Sequence, residues 1–253
     1  MDREGLDVAA GEAADAQAAA VYCTPSHQFP LGVTMSMRRR LALIDWARRH
    51  GAWIFEDDYD SEMRFAGPPL TAMQGIDDAG RVVYLGTFSK VLFPGLRVGY
   101  MVVPEALLDD VIALRRRMDR QPSTLGAGAL ADLLDGGHFA AHLRRIRRRA
   151  QAARDGLIEG LSGGGDKGFS VEVPEQGLHL VARLPTALAA ITDGGEAADV
   201  ALCARAVAAG VDARPLSSLY LSASPQAGLV LGFSGFEPDR LREAGRRLQD
   251  LLG

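Results

Sequence analysis

Lys90 follows the apolar run Arg81-Val82-Val83-Tyr84-Leu85 and lies within the stretch Gly86-Thr87-Phe88-Ser89-Lys90-Val91-Leu92-Phe93-Pro94-Gly95-Leu96-Arg97. Two hydroxyl residues precede it, and an arginine stands seven residues after it. A lysine whose neighbours favour the neutral amine attacks an aldehyde and forms a Schiff base. Thr87 and Ser89 offer hydroxyl donors and Arg97 a planar cationic fork, a set suited to a phosphate group. A Schiff-base lysine beside a phosphate cradle points to pyridoxal 5′-phosphate (PLP). Upstream, Ala52-Trp53-Ile54-Phe55 runs straight into Glu56-Asp57-Asp58-Tyr59-Asp60. PLP works as an electron sink when an acid lies against its pyridine nitrogen and keeps it protonated. Asp57 can supply that charge, and Tyr59 can donate to the ring 3′-oxygen.

Elements at fixed places must hold these groups. The runs at Trp53 and Val82 read as buried strands. Carboxylates at the end of a parallel strand face the ligand crevice of an open α/β sheet. Val21-Tyr22-Cys23-Thr24 is a further strand, and 25–32 is a loop marked by two prolines and a glycine. Ser36 caps a helix running to about His50, with Leu41, Ile44 and Ala47 or Arg48 at helical spacing, and Gly51 ends it. Arg38, Arg39, Arg40, Arg48 and Arg49 read as its solvated face. Helix then strand, repeated, makes a parallel sheet with helical crossovers. The strand from Val98 follows a short connection, which forces an antiparallel or sharply turned neighbour. Pro104 opens a helix to about Met118. A second helix covers 125–134, and a long one runs from His138 to about Leu161. In the long helix Leu143, Ile146 and Ala150 keep a buried stripe, so Arg144, Arg145, Arg147, Arg148 and Arg149 read as solvated rather than as a nucleic-acid patch. From Phe169 short alternating strands and helices make a second, α+β lobe.

The fold class expected is α/β, with a partial large-domain sheet and a smaller α+β lobe. Residues 1–20 read as a poorly ordered lead-in and 21–137 as a partial PLP-binding large domain. A linking long helix takes 138–163, and the small C-terminal domain takes 164–253. The net charge of −4 gives no sign of nucleic-acid binding by the chain as a whole. Cys23 and Cys203 stand alone, without the spacing of a metal site, and read as reduced thiols of a cytoplasmic protein. No apolar run reaches the ~18 residues of a membrane span. The acidic, alanine-rich start is unlike a signal peptide.

Three motifs in one order carry a resemblance: TPSHQFPLG from Thr24, EDDYDSEMRF from Glu56 and GTFSKVLFPGLRVGY from Gly86. Together they resemble the PLP-binding half of fold-type-I aminotransferases. More narrowly they resemble the MocR subgroup of GntR-type bacterial transcription regulators, which fuse a winged helix-turn-helix to an aminotransferase-like domain. The resemblance covers the chain from about Val21 to the end. It implies Lys90 as the Schiff-base lysine, Asp57 on the pyridine nitrogen and Tyr59 on the 3′-oxygen. It also implies Thr87, Ser89 and Arg97 on the phosphate, with His27 or Gln28 as a ring contact. Phe29 stands where related aminotransferases carry a ring-contacting asparagine.

The resemblance further implies a homodimer. Independently of it, segment 117–124, polar and cationic between two helices, reads as a loop reaching toward a partner's phosphate or as an ordinary connector. The resemblance also implies a small amino-compound effector or substrate, and no DNA contact by this stretch alone. Two departures stand out. Val230 occupies the position of the arginine that pairs with a substrate carboxylate, and Arg214 is the nearest substitute. The family's large domain also begins before the Val21 strand, so the chain reads as a truncated product or one with an upstream start. The expected function is thus the PLP-binding effector domain of a MocR-type regulator, with efficient turnover doubted. The alternative is a class I/II aminotransferase.

Overall fold

The computed structural model describes residues 1–189, 192–193, 196–221 and 223–253. The chain divides into two compact units. The first comprises Met1–Phe29, Val33–Glu62 and Pro68–Arg144. It holds α1 (Val8–Ala14), β1 (Ala20–Cys23), α2 (Met37–His50), β2 (Trp53–Asp58), β3 (Val82–Thr87), β4 (Gly99–Val102), α3 (Glu105–Met118) and α4 (Ala127–Asp135). The strands lie in sequence order β1-β2-β3-β4. β1, β2 and β3 run parallel, and β4 returns antiparallel to β3, as the short 88–98 connection requires.

α2 covers one face of this sheet. Its N-cap is Ser36, whose Oγ accepts from Arg39 N, and Gly51 ends it in the left-handed region at φ 66°. The inward stripe is Leu43, Ile44, Trp46 and Ala47, packed on Ile54 and Val82. Two sequence expectations need correction here. Leu41 lies outward, half exposed, while Ile44 and Ala47 are buried as expected. Arg40 belongs to the buried stripe and not to the solvated face: it is 2% exposed. Positions 40, 43, 44 and 47 share one helix face. The guanidinium is tolerated there because loop carbonyls satisfy it: Met35 O at 3.0 Å, Thr71 O at 2.9 Å and Pro25 O at 3.0 Å.

Residues 1–20 also differ from the expected loose lead-in. Asp7 caps α1 by accepting from Ala10 N at 3.1 Å, and Val8 is buried in the α2 core. Arg39 ties this segment down through Asp2 at 2.7 Å and Asp7 at 2.9 Å. A segment poor in large apolar side chains is thus ordered by Val8, by Leu6 and Ala18 packed on the same core, and by ion pairs.

The second unit comprises Pro30–Gly32, Met63–Gly67 and Arg145–Gly253. The long helix α5 (His138–Leu161) contributes its residues to Arg144 to the first unit and the rest to the second. After it come β5 (Ser170–Val171), β6 (His179–Arg183), α6 (Thr186–Ala189), β7 (Thr192–Asp193), β8 (Glu196–Ala197), α7 (Ala198–Ala208), β9 (Arg214–Pro215), β10 (Gly228–Gly232) and α8 (Pro238–Asp250). The main sheet has the order β5-β6-β10-β9, with antiparallel neighbours throughout. Leu229, Leu231 and Phe233 point into a core shared with Leu157, Leu161, Leu202 and Leu248. α5 and α8 approach closely because Gly160 and Gly245 lack side chains; a Cβ on Gly160 would lie 2.2 Å from Arg242 O.

Candidate cofactor site on the first sheet

The pleat of β2 divides its acidic run into separate duties. Successive side chains point to opposite faces. Glu56 and Asp58 fall on the α2 side, and Asp57 falls on the other. Glu56 is fully buried and accepts from Met73 N at 2.8 Å and Gln74 N at 2.9 Å. Burial holds its carboxyl above the ordinary range, against the pull of those two N–H groups. Asp58 accepts from Ser61 Oγ and Tyr84 Oη, both at 2.7 Å. Asp60 is buried against His27, with 2.8 Å to Nδ1. Asp57 is half-buried and accepts a hydrogen bond from the Tyr22 hydroxyl.

β3 brings the next group to the same face as Asp57. Asp57 registers with Leu85 and Asp58 with Gly86, so Thr87 shares the side of Asp57, one strand over and two residues further along. Thr87 Oγ1 accepts from Ser89 N at 3.1 Å. A single turn follows, closed by Leu92 N on Phe88 O at 2.8 Å, and Lys90 is exposed on it. Val91 is the buried anchor of that turn. Its carbonyl lies 2.7 Å from His142 Nε2 on α5. The Phe88 ring packs on Tyr100 at 5.7 Å and on Phe139 at 6.0 Å. Gly86 lets Tyr100 cross the strand: a Cβ there would lie 2.3 Å from the Tyr100 ring. Arg97 then sits at φ 52°, in the left-handed region, at the end of the turn Pro94–Leu96. Among the described residues, the Lys90 amine and the Arg97 guanidinium make no hydrogen bond or ion pair.

Tyr59 and His27 form a second group. The Tyr59 hydroxyl donates to His27 O at 3.1 Å and lies 3.3 Å from His27 Nδ1. His27 is 1% exposed. Burial, then the nearby carboxylates, raises the phenol pKa of Tyr59. Asp57 and Thr87 therefore share one sheet face. Ser89, Lys90 and Arg97 follow on the loop that leaves it, and Tyr59 stands one step past β2 over a buried His27–Asp60 pair.

In the second unit, Val230 is buried and registers directly with Arg214 across β10 and β9. Directly opposed residues of an antiparallel pair share a face.

Tyr22, Arg40 and His142 are the site-supporting residues that sequence reasoning misses. For Tyr22 no local signal exists, since only the register Tyr22↔Phe55 puts it on the Asp57 side. For Arg40 the signal is its place in the α2 stripe. His142 lies 51 positions from Val91, and no local pattern connects the two.

The donor set fits PLP. One acid stands at the end of a parallel strand. Two hydroxyls and an uncommitted arginine flank an uncommitted lysine; the guanidinium matches a phosphate in kind, and the neutral amine an aldehyde.

Known proteins resemble this chain along most of its length. The chain is 41% identical over 223 residues to the "Probable rhizopine catabolism regulatory protein MocR" of Rhizobium meliloti, covering 88% of this chain and 43% of that protein. It is 34% identical over 231 residues to an uncharacterized HTH-type transcriptional regulator, YhdI, of Bacillus subtilis, covering 90% of this chain and 47% of that one. The chain thus spans about half the length of the curated relatives it matches. Among solved structures, the Pyrococcus horikoshii kynurenine aminotransferase in complex with PMP superposes with a TM-score of 0.86 at 28% identity, over 100% of this chain and 62% of that one. Residues 1–235 match the model of aminotransferase class I and II, and the chain belongs to that family.

Proposed function

We propose that this chain is the PLP-binding effector domain of a MocR-type transcription regulator, one that senses a small amino compound. The observation that carries the cofactor reading is the register of β2 and β3, which puts Asp57 and Thr87 on one face just before the Lys90 turn. Lys90 Nζ would hold the cofactor, and as a free amine it could move a proton. The Asp57 carboxylate keeps the pyridine nitrogen protonated. Tyr59 would turn its hydroxyl from the His27 carbonyl to the 3′-oxygen, and His27, locked to Asp60, acts as the support beneath Tyr59. Thr87, Ser89 and Arg97 hold the phosphate. When bound, PLP supplies an electron sink for a carbon bearing an amino group.

Sensing is favoured over turnover by Val230. A carboxylate without a bidentate partner loses orientation, and orientation is what a fast reaction needs. The identity to regulators supports the same choice. The protein works as a homodimer in this reading, in keeping with the aminotransferase fold. Titration of the purified protein with PLP, then with a panel of amino acids and amines, tests it. The reading expects a visible absorbance band that amino compounds shift, with turnover far below the ~1–1000 per second of ordinary enzymes. Turnover within that range would favour the aminotransferase alternative.

A further inference from the structure

We infer that Tyr22 is a positioning residue for the cofactor site: its hydroxyl holds Asp57 Oδ2 and leaves Oδ1 for the pyridine nitrogen. This rests on the PLP reading above. Tyr22 registers with Phe55 on the neighbouring strand, two residues short of Asp57, and shares its face. A diagonal of that kind spans about 7–8 Å between backbones, which an aromatic side chain reaches and a serine or threonine does not. The phenol makes the bond: Tyr22 Oη donates to Asp57 Oδ2. Among the described residues no other donor serves this carboxylate.

The ring itself is 62% exposed. A large aromatic left mostly in solvent contributes little packing, so its distinguishing feature is the hydroxyl. The two other carboxylates of β2 are held differently, Glu56 by backbone N–H groups and Asp58 by Ser61 and Tyr84. Only the acid aimed at the open face is fixed by an exposed side chain from the neighbouring strand. A carboxylate facing the cofactor must keep one oxygen oriented, and a hydroxyl on its other oxygen does that without adding charge. The same bond draws negative charge toward Oδ2, so the field that Oδ1 presents to the pyridine nitrogen depends on Tyr22.

A double-mutant cycle on PLP affinity tests this, using Tyr22→Phe, Asp57→Asn and the pair. The expectation is an approximately tenfold rise in the PLP dissociation constant for Tyr22→Phe, the usual scale for a hydrogen bond to a charged group. In the Asp57→Asn background the same change should alter affinity by less than about twofold. The pH curve of the bound cofactor's visible absorbance should also move by about half a unit or more in Tyr22→Phe. Tyr22→Leu removes the ring as well; a loss seen with Leu and absent with Phe would assign Tyr22 a packing role and overturn the proposal. Equal effects of Tyr22→Phe in both backgrounds, or superimposable pH curves, would also overturn it. If Asp57→Asn binds PLP like the wild type, the cofactor reading itself fails, which separates the two failures.

Discussion

Asp57 and Tyr22 form a bond that can be read from either partner. The phenol pKa is pushed up to about 12, by burial first and by the hydrogen bond to Asp57 second. A raised pKa means that the folded state holds the proton more tightly than the unfolded chain. The stability it contributes is complete below the ordinary value of 10 and is lost as pH rises through about 12. Ultraviolet titration, differenced against Tyr22→Phe, should show this phenolate forming near pH 12. Asp57→Asn should bring it down toward 10, though not fully, because burial remains. A phenol titrating at its ordinary value in the wild type would show that the bond is not made.

At the scale of elements, Arg40 and Glu56 hold the loops that frame β2. Arg40 binds three loop carbonyls and lies 4.0 Å from Glu56. Arg40→Met should cost about 3 kcal/mol in denaturant unfolding, since it strands three acceptors and a buried carboxylate. Ser36→Ala should cost about 1 kcal/mol, the loss of one cap. Glu56 has a distinct pH signature. Its folded pKa is raised, chiefly by burial, so its contribution to stability is full below the ordinary 4.5 and falls as pH rises above it. Glu56→Gln should flatten that part of the stability-versus-pH curve; an unchanged slope would show that Glu56 does not titrate differently on folding.

These elements also show what the sequence made legible. Ser36, Gly51, the apolar runs of β2 and β3 and the antiparallel β4 follow from local pattern, and the structure has each of them. The place of β4 beside β3 follows from their short connection, whereas the order β1-β2-β3 has no local signal. Polarity is a poor guide to Arg40, because nearby loop carbonyls satisfy its guanidinium. Composition does not reveal the order of residues 1–20, which comes from Val8 and from ion pairs with Arg39. In the site, Lys90, Asp57 and Thr87 were legible as motif residues. The Tyr22 bond was not, since it depends on the register between β1 and β2.

For the molecule as a whole, ligand binding should raise stability by mass action. PLP at 100 times its dissociation constant should add about 2.7 kcal/mol to unfolding, and Lys90→Ala should lose much of that gain. Among the described residues no helix is long and apolar enough to cross a membrane. The most direct test uses an accident of composition: the chain has two lysines, Lys90 and Lys167. Lys167 lies on a short turn, Gly165–Lys167, of the second unit. Borohydride reduction of the PLP-treated protein followed by peptide mapping distinguishes them. The account expects the pyridoxyl label on Lys90, with Lys167 clean. Label on Lys167 or the N-terminus, with Lys90 unmodified, would contradict it.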